Sequence, residues 1–232
     1  MAALVRSVNT GTPREGVGAR GRASAIDKRP VGAAEVRDPG PRRGGLGSGV
    51  VGDDCVERRH HGGSRQAVYV VAREELDWWG RELGRELHDG QFGENLTTTG
   101  LDVDAALVGE RWRVGTALLE VTGPRIPCST FAAWMGEPGW ARRFAERGRT
   151  GAYLAVVEPG TVAAGDLVDV VHRSDMGVTV PRVFRALTGD LEAARDVLEA
   201  GVLGAEDHAE LARRVDARTA APADREARPR PR

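Results

Sequence analysis

Cys128 lies in the segment PRIPCST, where two prolines precede the cysteine and two hydroxyl residues follow it. The prolines restrict the backbone, and we expect Ser129 or Thr130 to be the N-cap of a following helix. The positive end of that helix, together with Arg125, would favour the thiolate form of Cys128, which attacks electrophiles and binds soft metals. A buried, inert cysteine is the alternative, and composition alone favours it.

The segment HHGG at positions 60–63 is a second group of residues with chemical potential. Its glycines, Gly62 and Gly63, can form a backbone concavity whose N–H groups bind an anion, and Arg65 can add positive charge. His61 could donate a proton near neutral pH. A tight turn without any ligand explains the same residues, so the segment alone does not decide between the two interpretations.

Two further positions could contribute polar groups to a site. In FGENLTTTG, Asn95 and Thr97 supply neutral donors and acceptors that suit a heterocycle or a phosphate, although a capped turn uses the same residues. Lys28 is the only lysine of the chain, which suggests a need for a compact ammonium group there; chance is the alternative. Cys55 lies among charged residues and is interpreted as incidental.

Composition narrows the class of protein. The chain has 232 residues, of which 41% are hydrophobic, enough for one large domain or a medium domain with an appendage. No apolar run approaches the roughly 18 residues that cross a membrane, and the apolar core of the first residues is too short for a secretory signal. Two cysteines do not make a disulfide framework, and a net charge of −1 gives no general reason to expect nucleic acid. We therefore expect a cytoplasmic protein without membrane or nucleic-acid partners.

The elements that position these residues follow from hydrophobic patterns. AVYVV predicts a buried strand, the next segment to about Gly84 an amphipathic helix, and ERWRVG with ALLEVTG a hairpin. Two short helices are predicted on either side of Pro138, and the strand-like segment GAYLAVVEPGTVAAGDLVDVVHR follows them. Many short strands with few long helices indicate a barrel decorated by helices.

The pattern changes near Pro181, after which almost every residue fits a helical spacing. We therefore assign residues 1–180 to a β domain and residues 181–218 to a compact appendage of two or three helices. Residues 219–232 are rich in Pro, Arg and Ala, and a disordered tail is expected there.

In this order, the motifs resemble the MOSC domain, named for the C-terminal part of molybdenum cofactor sulfurase. The resemblance covers nearly everything from Val5 to about Val180. It rests on SVNTG, IDKRPV, HHGGSRQAVY, LDWW, FGENLTTTGLD, LVGERWRVGTALLEVTGPRIPCSTF and RTGAYLAVVEPGTVAAGD. The chain is most similar to the bacterial subgroup of the 6-N-hydroxylaminopurine resistance type, in which three helices follow the MOSC domain. This implies a mainly β fold with α elements: a distorted β-barrel decorated by short helices, followed by a small C-terminal helical appendage.

The resemblance also implies a molybdenum cofactor, molybdopterin carrying the metal, with Cys128 as the protein ligand to molybdenum. Lys28 and His61 match family positions and are expected to line one pocket with Cys128 as catalytic residues. The residues expected to bind the cofactor are Gly62, Gly63, Arg65, Asn95, Thr97 and Arg125. One position departs from the subgroup, which usually has an arginine where this chain has Ala155; substrate range or affinity could differ as a result.

The activity implied by the subgroup is the reduction of small N-hydroxylated compounds, including hydroxylaminopurines, to amines. Pyridoxal phosphate has no part in it. Two cysteines cannot hold an iron–sulfur cluster, so electrons would come from a separate flavin or iron–sulfur reductase. A homodimer is left open. Two other functions stay open as well: a sulfur carrier with a persulfide on Cys128, and a non-catalytic protein that binds or delivers the cofactor.

Overall fold

The computed structural model describes residues 2–220, which form ten strands and six helices. The strands are β1 (Leu4–Thr10), β2 (Arg29–Val31), β3 (Ala33–Val36), β4 (Val68–Ala72), β5 (Leu96–Thr99), β6 (Arg111–Val114), β7 (Ala117–Pro124), β8 (Ala152–Glu158), β9 (Gly160–Ala163) and β10 (Val168–His172). The helices are α1 (Arg73–Leu83), α2 (Ser129–Met135), α3 (Trp140–Arg147), α4 (Val180–Thr188), α5 (Leu191–Ala200) and α6 (Ala205–Ala220). The predicted strand, hairpin and short helices are all present.

Eight strands form one sheet in the order β10-β6-β7-β8-β4-β5-β1-β2, and β3 pairs with β9 in a separate ribbon. Every pairing is antiparallel except that of β4 with β5. The central strand β4 has the sequence VYVVA and is buried at every residue, as expected for a strand covered on both faces. The mixed fold, with a mainly antiparallel sheet and short helices, is the predicted class.

The predicted barrel, however, is not closed among the described residues. The sheet has two edges, β10 and β2, and these strands do not pair with each other. Only a bridge between Leu4 and Leu167 and a few backbone bonds, such as that from Val168 N to Ala3 O at 2.9 Å, connect β1 with the start of β10. Closure fails because β2 has three residues and pairs with β1 only from Val8 to Thr10, so no continuous ladder crosses the gap.

Two apolar cores support the site. The first fills the interior of the sheet and contains β4, β7 and β8 residues. The second is an aromatic cluster between the sheet and the helices α1 to α3, whose five central rings are each at most 2% exposed. Its central rings are Trp79, Phe92, Phe131, Trp140 and Phe144. These rings contact one another at centroid distances from 4.6 to 6.3 Å, which fixes how α2 and α3 lie on the sheet.

The C-terminal helices have a third core of their own, formed mainly by Val183, Val197 and Leu211. The side chains of Thr179 and Asp190 cap the first two of these helices. The last helix runs to Ala220 and so includes the first two residues of the predicted tail, while residues 221–232 lie outside the described part of the chain. In residues 2–220, no helix combines the length and apolar character that crossing a membrane requires.

Candidate functional site

Two adjoining cavities meet at Cys128. The inner cavity has a volume of about 130 Å³ and lies among loops of the sheet domain. The outer cleft, of about 950 Å³, opens between those loops and the C-terminal helices. Cys128, His61 and Tyr153 line both, so the sulfur lies where the inner cavity opens into the cleft.

Cys128 itself is the N-cap of α2, and this corrects the expectation that Ser129 or Thr130 would take that place. Its backbone is extended, with φ −112° and ψ 169°, and its Sγ accepts the N–H of Phe131 at 3.5 Å. Sulfur is a weaker acceptor than a hydroxyl oxygen, so capping preference alone favours Ser129 or Thr130 over Cys128.

The surroundings of Cys128 favour its thiolate. Burial disfavours the charged form, but the hydrogen bond with His61, the charge of Arg125 and the N–H of Phe131 outweigh it and lower the thiol pKa to about 6. The same hydrogen bond with Cys128 raises the pKa of His61, although burial works in the opposite direction. His61 also contacts Glu57, whose Oε2 lies 3.2 Å from Nδ1. Each of the two groups therefore favours the charged form of the other at the junction.

Arg125 is 6% exposed and lines the inner cavity. Its guanidinium lies between aromatic rings, 5.0 Å from the centroid of Tyr69 and 4.2 Å from that of Phe131. Nη1 donates to Phe92 O at 2.9 Å, whereas the buried Nε has no partner. An unsatisfied buried donor is costly, so a ligand in the inner cavity would supply what this nitrogen lacks.

Lys28 lines the inner cavity as predicted and is held there by Asp53, with which it forms a buried ion pair. The same carboxylate accepts hydrogen bonds from Ser48 Oγ at 2.6 Å, Asn95 Nδ2 at 2.9 Å and Gly11 N at 2.8 Å. Asp53 thus joins four separate segments around Lys28. Sequence reasoning did not find it, because an aspartate after a glycine is typical of an ordinary turn.

Gly62 and Gly63 bring loops together at the site. Both have positive φ, 77° and 83°. A Cβ on Gly63 would lie 2.8 Å from the backbone N of Arg42, and one on Gly62 would lie 2.5 Å from Gly47 O. Their N–H groups are already used, by Gln66 Oε1 at 3.1 Å and by Gly47 O at 2.9 Å. The glycines therefore place His61 and Arg42, and they offer no free N–H pair to an anion.

The other predicted cofactor-binding residues divide between the cavities and the core. Asn95 lines the inner cavity, but its side chain is bonded to Asp53 and to the backbone of Tyr69. Thr97 is fully buried, bonds to Glu94 and does not reach either cavity. Arg65 lines the outer cleft, where Nη2 donates to Thr122 O at 3.1 Å and Val202 O at 2.9 Å.

Cys55, interpreted from the sequence as incidental, also lines the inner cavity. Burial raises its pKa to about 11, so in contrast to Cys128 it is held as a neutral thiol. Lys28 nearby acts in the opposite direction but does not outweigh burial. The two free cysteines of the chain therefore share one cavity, Cys55 as a neutral thiol and Cys128 with its thiolate favoured.

Within residues 2–220, no three His, Cys, Asp or Glu side chains converge as metal ligands. A metal at Cys128 would therefore take most of its ligands from a cofactor. The residues present fit such a group, because Cys128 is a soft thiolate donor and the buried Nε of Arg125 is unpaired. Lys28 adds a further cation to the lining of the inner cavity.

The comparisons with known proteins point to one family. The model of the MOSC domain matches residues 57–169. The chain is 33% identical over 129 residues to YflK of Bacillus subtilis (strain 168), in an alignment covering 56% of this chain and 58% of YflK. It is 30% identical over 188 residues to a protein named "Reductase" of Gibberella moniliformis (strain M3125 / FGSC 7600), covering 75% of this chain and 33% of that protein. The chain thus spans less than two thirds of either relative.

The crystal structure of YiiM from Geobacillus stearothermophilus has the same fold, with a TM-score of 0.72 and 24% sequence identity. The superposition covers 92% of this chain and 99% of that structure, so the similarity includes the C-terminal helices. Lys28 and Asp53 precede the region matched by the family model but meet its residues at the inner cavity. Family model, relatives and fold agree, and the chain contains a MOSC domain, which the family model places at residues 57–169.

Proposed function

We propose that the chain is a molybdenum-cofactor-dependent reductase of N-hydroxylated compounds such as hydroxylaminopurines. The observation that carries this proposal is the place of the Cys128 sulfur, which lines both the inner cavity and the outer cleft. A metal held by this sulfur would have the cofactor on one side and open space for a substrate on the other. The MOSC domain and the relative named "Reductase" support an oxidoreductase built on this cofactor.

Each residue at the junction has a role in this proposal. Cys128 is the thiolate ligand, and the bound cofactor would supply the two electrons and accept the oxygen of the N–OH group. Arg125 and Lys28 line the inner cavity but not the outer cleft, so they suit binding of the cofactor. His61 lines both and can deliver a proton to the amine nitrogen of the product. A separate flavin or iron–sulfur reductase would restore the electrons.

The test is reduction of N6-hydroxyadenine to adenine by the purified, cofactor-loaded chain, with reduced methyl viologen as electron donor. The wild-type chain and Cys55→Ser should both turn over, and Cys128→Ser should lose at least a hundredfold in kcat. Cys55→Ser is a matched control because it removes the other sulfur from the same cavity. Equal turnover in Cys128→Ser and wild type would overturn the assignment.

Two other functions suit the thiolate at Cys128. A sulfur carrier would bear a persulfide there, and cyanide would then release sulfur from the wild type but not from Cys128→Ser. A delivery protein would bind the cofactor yet reduce no N-hydroxylated compound. The reductase assay and the cyanide assay, run on one preparation, separate all three functions.

A further inference from the structure

The outer cleft has a strongly positive lining although the chain as a whole has a net charge of −1. Two acidic residues line it, Glu57 and Asp207. Five arginines also line the cleft: Arg20, Arg22, Arg42, Arg59 and Arg65. A cleft lined by one sign of charge concentrates ligands of the opposite sign.

Most of these arginines have guanidinium groups without a partner in the described part of the chain. Among residues 2–220, the guanidinium groups of Arg20, Arg22, Arg42 and Arg59 form no hydrogen bond or ion pair, and the Nε of Arg42 is buried without a partner. Elsewhere arginines are typically paired with carboxylates, as Arg147 is with Glu75 at 2.9 Å. Unpaired guanidinium groups around one cleft are suited to a phosphate, which accepts hydrogen bonds from several of them at once.

The backbone directs two of these arginines to the cleft. Arg20 has φ 57° and ψ 32°, the left-handed region that non-glycine residues avoid, and it lies in a loop closed by two backbone bonds between Arg14 and Ser24. Arg42 is held against Gly63, which leaves no room for a side chain there. Strain and close packing of this kind are typical of residues that serve a binding site.

The position of the cleft relative to Cys128 indicates that a phosphate bound there would belong to the substrate. Lys28 and Arg125 lie on the inner side of Cys128, and the unpaired arginines lie on the outer side. A substrate that places its N–OH group at the sulfur from the outside would extend through the cleft, whose volume of about 950 Å³ is ample for a nucleotide.

From this geometry we infer that the outer cleft binds a phosphate group of the substrate, so that N-hydroxylated purine nucleotides are preferred over the free bases and nucleosides. The inference rests on the proposed reductase function for the purine and its N–OH group. The phosphate site itself rests only on the arginines and their place in the cleft.

The first part of the test is binding. Isothermal titration of the purified chain at low salt should show AMP binding at least tenfold more tightly than adenosine. Arg42→Gln and Arg59→Gln should each reduce that ratio about tenfold, which is the lower end of the range for one charge-assisted hydrogen bond. Arg195→Gln is the control, since Arg195 is exposed on α5 away from the cleft. Equal binding of AMP and adenosine would overturn the inference.

The second part is kinetic and separates the two proposals. With the loaded enzyme, N6-hydroxy-AMP should have a KM at least tenfold below that of N6-hydroxyadenosine, with a similar kcat, and added salt should remove the difference. Reduction of both compounds with equal KM would overturn the phosphate site but would support the reductase function. If neither is reduced but AMP still binds preferentially, the reductase function fails and the phosphate site stands. Loss of pterin and molybdenum from Arg42→Gln would instead assign the cleft to the phosphate of the cofactor.

Discussion

The two cysteines of the chain line one cavity but differ in charge state. His61, Arg125 and the start of α2 surround Cys128, whereas burial dominates at Cys55. The difference follows from which groups face each sulfur, since both are only partly exposed. A soft metal needs the thiolate, so the structure favours Cys128 over Cys55 as a ligand.

This contrast predicts how the cofactor-free chain reacts with iodoacetamide. The pKa of Cys128 is lowered to about 6, so its thiolate forms as the pH rises through that value and its alkylation rate should level off by about pH 8. The pKa of Cys55 is raised to about 11, so its rate should still be rising at pH 9. Mass spectrometry of the alkylated peptides, sampled between pH 5 and pH 10, measures both rates.

The variant Cys128→Ser should leave only the slow reaction, and Cys55→Ser only the fast one. A Cys128 rate that first rises near pH 9, as for an ordinary thiol, would show that His61 and Arg125 do not act on the sulfur as described.

Asp53 is the residue on which the inner cavity most depends. Replacing it by asparagine would leave the buried ammonium of Lys28 without its partner, which costs about 3–5 kcal/mol. We expect Asp53→Asn to lower the free energy of unfolding by that amount in urea titrations. Asp175→Asn, at an exposed site, should change it by less than about 0.5 kcal/mol. Adding Lys28→Met to Asp53→Asn should restore most of the stability; a double variant as unstable as the single one would contradict the pairing.

At the scale of elements, α2 presents Cys128 because its first turn is anchored in the aromatic cluster. Phe131 is fully buried, donates its N–H to the sulfur and has the Arg125 guanidinium over its ring. One side chain therefore links the packing of the helix to the electrostatics of the thiolate.

We expect Phe131→Ala to lower the free energy of unfolding by about 3–5 kcal/mol, because it opens a cavity in the cluster. It should also raise the Cys128 pKa, since Arg125 would no longer be held near the sulfur. Thermal or urea unfolding measures the first effect and the pH dependence of alkylation the second. Ala133→Ser, on the exposed side of the same helix, should do neither. A large loss of stability with an unchanged pKa of Cys128 would show that the packing of the aromatic cluster does not control the charge state of the thiol.

Most elements could be predicted from the sequence because their patterns are local. The buried strand AVYVV, the helix after it and the hairpin around Gly115 have periodicity and turn residues of their own. The expected cap of α2, Ser129 or Thr130, lies one or two residues after the observed cap, Cys128, because hydroxyl oxygens are the preferred capping acceptors and sulfur is a weak one. Asp53 and the unpaired arginines could not be found, since their partners, or the absence of partners, depend on segments distant in the sequence.

At the scale of the whole molecule, Arg65 connects the sheet domain with the C-terminal helices. One guanidinium nitrogen donates both to Thr122 O on β7 and to Val202 O in the loop before α6. The C-terminal part thereby lines the outer cleft, through Val183 and Leu187 of α4 and through Leu203 of the loop before α6.

Arg65→Leu should loosen this connection without unfolding the sheet. Hydrogen bonds from a charged donor contribute about 1.5–3 kcal/mol, so amide exchange in residues 202–211 should accelerate on the order of tenfold or more, while β4 stays protected. Arg195→Leu, at an exposed site, is the control. Unchanged exchange in Arg65→Leu would mean that apolar packing alone holds the helices.

Closure of the sheet is the property of the whole molecule that local patterns cannot decide. The resemblance implied a barrel, but the short strand β2 leaves the sheet open and β1 reaches the start of β10 through a few bonds only. The length of β2 is set by how soon the chain turns at Gly32, which no hydrophobic period encodes.

The claim that Cys128 holds a molybdenum cofactor is tested most directly by metal and pterin content. Wild type, Cys55→Ser and Cys128→Ser should be purified gently from the same cofactor-producing host and assayed for molybdenum by mass spectrometry and for pterin by fluorescence. We predict near-stoichiometric molybdenum in wild type and in Cys55→Ser, and a loss of at least tenfold in Cys128→Ser. Equal molybdenum in all three proteins, or none in the wild type, would contradict the account.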